Sequence, residues 1–207
     1  MYFYTLLLAV CVIVAIFLTP LRHKVWVATG AVALSAIGAI TLAIMAFANG
    51  PVTLAEFHSP LFGNETIVVD KLTSLFLVII SVASITTTIY SKGYVGGYFN
   101  RFSPAHISLH YSALVVLVVS MMMVVMSSGG FSFLFWWELM TIASFLLILF
   151  EADRQDVRRA AINYLVMMHI GFIFLVIGFV LCTTSLARQT SRLSSITSRW
   201  RPHFHSS

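Results

Sequence analysis

Apolar residues run along this chain in blocks of about twenty, separated by short polar stretches that hold most of its charge. A helix needs about 20 mostly apolar residues to cross a bilayer, and six blocks meet that length: Tyr2 to Thr19, Val25 to Ala48, Leu72 to Tyr90, Leu109 to Met126, Phe131 to Phe150 and Arg159 to Cys182. Helices are expected because lipid offers backbone groups no hydrogen-bond partners. The first block has no basic segment ahead of it and no small-residue cleavage site. Its charges, Arg22 and Lys24, follow it, so it reads as a span and not as a signal peptide.

The polar stretches alternate in sign. Arg22 and Lys24 lie in the first loop, Lys92 and Arg101 in the third, and Arg154, Arg158 and Arg159 in the fifth. The second loop, Gly50 to Lys71, carries Glu56, Glu65 and Asp70 against one lysine. Basic loops stay in the cytoplasm, which puts the N-terminus and the acidic loop outside. After Cys182 the composition turns from Leu, Ile, Val and Phe to Ser, Thr and Arg. Arg188, Arg192, Arg199 and Arg201 then fall on the disfavoured side.

Composition agrees with the pattern. The chain of 207 residues is 59% hydrophobic and 9% charged, with mean hydropathy +0.97, whereas soluble domains carry about 25% charged residues. A soluble enzyme is excluded, and an all-α, multi-pass protein in a lipid bilayer is expected. The +5 net charge sits in loops, where it sets topology, and no nucleic-acid partner is expected. Cys11 and Cys182 lie inside apolar blocks and outside any C-x-x-C, so neither metal nor redox work is read from them. Asn64-Glu65-Thr66 matches the glycosylation sequon, a pattern short enough to arise by chance. No nucleotide, phosphate, zinc or serine-hydrolase motif is present, and no cofactor, metal or catalytic residue is expected.

One residue stands out. Glu138 is the only acidic residue inside the six blocks, seven residues and about 10 Å from the outer end of the fifth. A charge at that depth costs about 2.5–3.5 kcal/mol. Burial disfavours an ionised carboxyl and a nearby cation favours it; a group held between the two can take and release a proton, as a relay requires. Thr141, three residues on, shares a helix side with it and can offer a hydroxyl or simply bond its own backbone. His169, within the sixth block, has the titration range of a relay or is a hydrogen-bonded structural histidine. The proton-relay set read from the sequence is thus Glu138, Thr141 and His169. His106 and His110 read as interfacial, Trp136 and Trp137 as packing or anchors, and Met121 to Met123 as packing. Gly171 and Gly178 read as a close-approach site for a neighbouring helix.

The stretch Trp137-Glu138-Leu139-Met140-Thr141-Ile142-Ala143-Ser144 resembles the fifth helix of the antiporter-like proton-translocating membrane subunits. These occur in respiratory complex I, in hydrogenase-4 and formate hydrogenlyase complexes, and in multisubunit cation/proton antiporters. Arg158-Arg159-Ala160-Ala161-Ile162-Asn163-Tyr164-Leu165 resembles the start of the family's sixth helix. Asp70-Lys71-Leu72-Thr73-Ser74-Leu75-Phe76 resembles the start of its third, and Tyr90-Ser91-Lys92-Gly93-Tyr94 the loop after that helix. The likeness spans roughly Met1 to Leu181, with its specific signal from Asp70 to Gly178, and its details are most similar to the hydrogenase-4 component B branch.

The resemblance implies the N-terminal part of a fold of about fourteen helices built on inverted repeats, with Glu138 as the half-channel glutamate. Residues 1–126 would be an N-terminal four-helix region and 127–182 the start of the proton-translocating domain. Residues 183–207 would be a disordered or frame-shifted tail. The implied function is proton translocation in a redox-driven complex of hydrogenase-4 or NADH:quinone oxidoreductase type, within the inner membrane and beside other membrane subunits. A cation/proton antiporter subunit and a non-functional fragment are the alternatives. Family members carry a lysine on the seventh helix that tunes the glutamate; no such helix follows Cys182, so a truncated or frame-shifted product is expected.

Overall fold

The computed structural model describes residues 11, 13–59, 63–97, 103–151 and 154–199. A helical stretch over 13–18 (α1) is followed by α2 (Leu21–Asn49), a hairpin of β1 (Val52–Ser59) and β2 (Gly63–Val69), α3 (Lys71–Gly96), α4 (Pro104–Met126) and α5 (Gly130–Ile148). A 3-10 turn at Leu149–Glu151 leads into α6 (Gln155–Arg199). Among the described residues, five helical segments are long and apolar enough to cross a membrane: His23–Asn49, Lys71–Val95, Pro104–Met126, Gly130–Ile148 and Gln155–Ser185. The chain is a multi-pass membrane protein. The expected first span, Tyr2 to Thr19, lies mostly outside the described residues, with helix seen at its end.

Helix α4 is the centre of the bundle. It packs on α2, α3 and α5 and reaches β2, while α6 lies at the edge against α5 and the 3-10 turn. Helices α2 and α3 pack on each other and bury mostly small residues: Ala28, Ala36, Ala39, Ala43 and Ala46 on one, Ser74, Ser81, Ser84, Thr88 and Ser91 on the other. Small side chains let backbones approach closely, which is how helices associate in lipid. Three of those hydroxyls bond their own helix, Ser74 to the Asp70 carbonyl at 2.6 Å, Ser81 to that of Leu77 at 2.7 Å and Thr88 to that of Ser84 at 2.7 Å, while those of Ser84 and Ser91 are buried without a partner among the described residues.

Three findings depart from the sequence reading. First, the second loop is an antiparallel hairpin. Val52 pairs with Val69 and Phe57 with Glu65, with a register shift between Thr53 and Ala55. The β-branched run Thr66 to Val69 favours a strand, and its two-residue period turns Glu65, Ile67 and Val69 inward. Second, Lys24 is a buried residue of α2 and not a loop charge. Its ammonium donates to the Pro104 carbonyl at 3.2 Å and to the Ser108 hydroxyl, tying α2 to the first turn of α4. Third, α6 is one helix of 45 residues, about 67 Å long, more than twice the roughly 30 Å hydrocarbon core. Residues 183–199, part of the tail expected to be disordered or frame-shifted, continue it as helix and so are not disordered; 200–207 lie outside the described residues.

Helix starts explain the bundle's order. Asp70 caps α3, accepting the Thr73 N–H at 2.7 Å, and these bonds to its charged form hold its carboxyl below the ordinary 3.8. Ser103 caps α4 ahead of Pro104 at its first turn, a position proline suits. Helix α5 starts at Gly129, which has no side chain to cap with. Its cap comes from the hairpin: Glu65 accepts the Phe131 N–H at 2.9 Å and the Ser132 N–H at 2.8 Å. The connection expected to divide the chain at 126/127 is therefore bridged by β2.

Candidate functional site

Helices α5 and α6 run antiparallel, and their shared seam carries the polar residues. Phe133 faces Phe179 with ring centroids 5.9 Å apart, Glu138 meets His169, and Ser144 meets Tyr164. The α5 number rises as the α6 number falls, so these are successive levels from the hairpin end toward the end carrying the basic loops.

At the middle level the Glu138 Oε1 and His169 Nε2 lie 2.9 Å apart. The other ring nitrogen, Nδ1, lies 2.9 Å from the Leu165 carbonyl. A carbonyl oxygen only accepts, so Nδ1 carries a hydrogen and Nε2 faces the glutamate. Two arrangements fit this contact: a neutral acid donating to Nε2, or a carboxylate accepting from a doubly protonated ring. They hold the same number of protons and differ by one transfer along the bridge. Removing that proton sets two acceptors face to face, whereas a further proton can sit on Oε2 while Oε1 accepts from the Nε2–H, so the contact needs at least one proton between the two groups. The second carboxyl oxygen, Oε2, is buried without a hydrogen-bond partner among the described residues.

The flanking levels differ. Toward the hairpin, Phe133 packs on Trp137 at 5.6 Å as well as on Phe179, an apolar closure. Toward the basic end, the Ser144 and Tyr164 hydroxyls lie 2.7 Å apart and offer rotatable O–H groups. The seam is polar on one side of the pair only. At that same end of the bundle, His106 Nε2 lies 3.1 Å from the Phe150 carbonyl, and the His110 ring lies 4.4 Å from that of Phe150.

Of the three expected relay residues, the structure joins Glu138 with His169. Thr141 is fully buried and donates to the Trp137 carbonyl at 2.9 Å, so its hydroxyl hydrogen stays on its own helix. The sequence reading missed the Ser144–Tyr164 pair, whose signal was that both residues sit in the quoted motifs at matching antiparallel depth. It also counted Glu65 only as an outer-loop charge. Met122 and Met123 are core residues lining an apolar cavity of about 220 Å³ beneath the hairpin, with Met126, Leu54 and Ile67. Nothing lies within 4 Å of a Cβ built on Gly171 or Gly178, so no described helix occupies the approach they allow.

The chain matches no family model. It is 32% identical over 134 residues to an uncharacterized protein of Mycobacterium tuberculosis strain CDC 1551 / Oshkosh, and to the same extent to one from strain ATCC 25618 / H37Rv. Each match covers 63% of this chain and 20% of the relative, so the chain spans about a fifth of the length of the curated relatives it matches.

Proposed function

We propose that this chain is the N-terminal, proton-handling part of an antiporter-like membrane subunit serving a redox-driven complex of hydrogenase-4 or NADH:quinone oxidoreductase type, in the inner membrane. Partner subunits carry out the electron transfer; this chain's role is to hold and pass protons. The observation that supports the reading is the Glu138–His169 contact, with the ring's far nitrogen engaged by a carbonyl. An acid and an imidazole sharing one proton at mid-membrane depth form a relay station. Closure by aromatic rings on one side and hydroxyls on the other favours access from the basic, cytoplasmic end through Tyr164 and Ser144.

The test is an infrared titration of the full chain in lipid nanodiscs between about pH 5 and 8. The Glu138 carboxyl band and the His169 ring band are expected to change together at one midpoint, and Glu138→Gln should abolish the carboxyl change and move the ring change to a different midpoint. Independent titration of the two bands would overturn the shared-proton reading. Purification of the native assembly tests the partner: co-purifying iron–sulfur or flavin absorbance is expected. A colourless assembly that exchanges sodium for protons would instead establish the antiporter alternative.

A further inference from the structure

We propose that Glu65 is a positioning residue for the Glu138–His169 pair, acting from the hairpin through the first turn of α5. The proposal rests on the reading of that pair given above.

Glu65 is 1% exposed. Its Oε1 accepts the Phe131 N–H, and its Oε2 accepts both the N–H and the hydroxyl of Ser132. A Cβ on Gly129 would lie 2.3 Å from the Glu65 Cδ, so the carboxylate fills the space a side chain there would occupy. The neighbouring backbone adds two ties: Ser128 N–H to the Thr66 carbonyl at 3.1 Å, and an antiparallel bridge between Ile67 and Ser127. An ordinary cap comes from the residue at the helix start and fixes only where the helix begins. A cap delivered by another element also fixes where the helix sits. An anion is favoured there by the helix dipole.

Helix α5 needs that constraint. Nearly all its residues are apolar, on every side, so its own pattern selects no rotation. Its outer neighbour α6, which carries His169, has Ala161 as its one buried residue among those whose burial is described. A slip of one residue moves a helical side chain by about 1.5 Å along the axis and about 100° around it. A bond of 2.9 Å does not survive that displacement. Ser132, held by Glu65, is six residues from Glu138, about 9 Å along the same rigid helix. Glu65 touches neither member of the pair; it fixes the register that brings them together.

The experiment is a double-mutant cycle on the full chain in nanodiscs, read by the titration midpoint of the Glu138 carboxyl band. His169→Gln is expected to move that midpoint by about one unit or more, a tenfold change in proton affinity. In the Glu65→Ala background the same replacement should move it by less than about 0.3 unit, because the partners are already apart. Each shift is measured within one background, so the charge removed at position 65 cancels. Should Glu65→Ala fail to fold by circular dichroism, Glu65→Gln carries the same comparison. It keeps one acceptor oxygen and is expected to retain part of the shift. A full-sized shift in a folded Glu65 variant, even one with a lowered melting temperature, would make Glu65 merely structural and overturn the proposal alone. The absence of any shift in the wild-type background would overturn the reading of the pair, and this proposal with it.

Discussion

Gly129→Ala should be among the most damaging methyl additions in this protein, for reasons that come from outside the glycine. Its backbone, φ −105° and ψ 153°, is an extended conformation any residue adopts, so alanine brings no torsional strain. The new Cβ would stand 2.3 Å from the Glu65 Cδ and Oε2 and 2.7 Å from its Oε1, so the carboxylate must leave. It then loses three bonds, each worth about 1.5 kcal/mol at the low end for a charged acceptor, or about 4.5 kcal/mol together. For a chain of this size that lowers the melting temperature by roughly 9–18 °C. Gly171→Ala supplies the control: nothing lies within 4 Å of its Cβ, and alanine gains about 1 kcal/mol of helix propensity. Thermal unfolding in mild detergent, followed by circular dichroism, compares the two. The double variant Gly129→Ala, Glu65→Ala should be no less stable than Glu65→Ala alone, since the clash needs both groups. If Gly129→Ala melts within about 2 °C of wild type, the carboxylate is not seated against Gly129.

Glu138→Gln should leave stability within about 0.5 kcal/mol, because the amide can donate to His169 Nε2 as the neutral acid does; a drop of several degrees in melting temperature would show that the ionised form holds the fold. The depressed titration of Asp70 stabilises the first turn of α3 above the ordinary carboxylate value, and that stabilisation is lost as pH falls through the folded-state value. The Thr73 amide resonance should therefore be steady above about pH 4 and move only below it, and Asp70→Asn should remove the transition. Asn64 and His23 are both exposed. With Cys11 and Cys182 changed to serine, a cysteine at position 64 should react with an impermeant thiol reagent from outside, and one at 23 only after the membrane is opened; the reverse pattern inverts the topology.

The spans were legible because lipid dictates their length and composition, and Glu138 because it interrupts an apolar run. His169 was harder to pair with it. Residues on different helices meet by packing, which no spacing in one sequence states, and the contact became visible only once α5 and α6 lay antiparallel. Glu65 and Lys24 were misplaced for a common reason: both were counted as charges beside a span, where charge is normally solvated. Each instead spends its charge on backbone groups at a helix start, Glu65 on α5 and Lys24 on the Pro104 carbonyl. The helical continuation to Arg199 was hidden by a polar composition that suggests no packing. Yet 179–199 holds neither glycine nor proline, and Pro202 is the first stop signal.

The hairpin's grip on α5 also orders the protein's biogenesis. Glu65 and the Phe131 amide it binds are separated by 66 residues, two whole spans, α3 and α4, lying between them. A ribosome adding about 5–20 residues per second needs roughly 3–13 seconds to make that stretch. During that interval the Glu65 carboxylate has no amides to accept from and must wait hydrated at the membrane surface. Its burial is consequently a late event, possible only once α5 has crossed and turned its first amides toward the hairpin. Until then the acidic segment is an open end that a protease or a mispaired strand can reach; afterwards it is locked. An insertion intermediate stalled before Phe131 should be cleaved within the hairpin, and one stalled beyond α6 should resist.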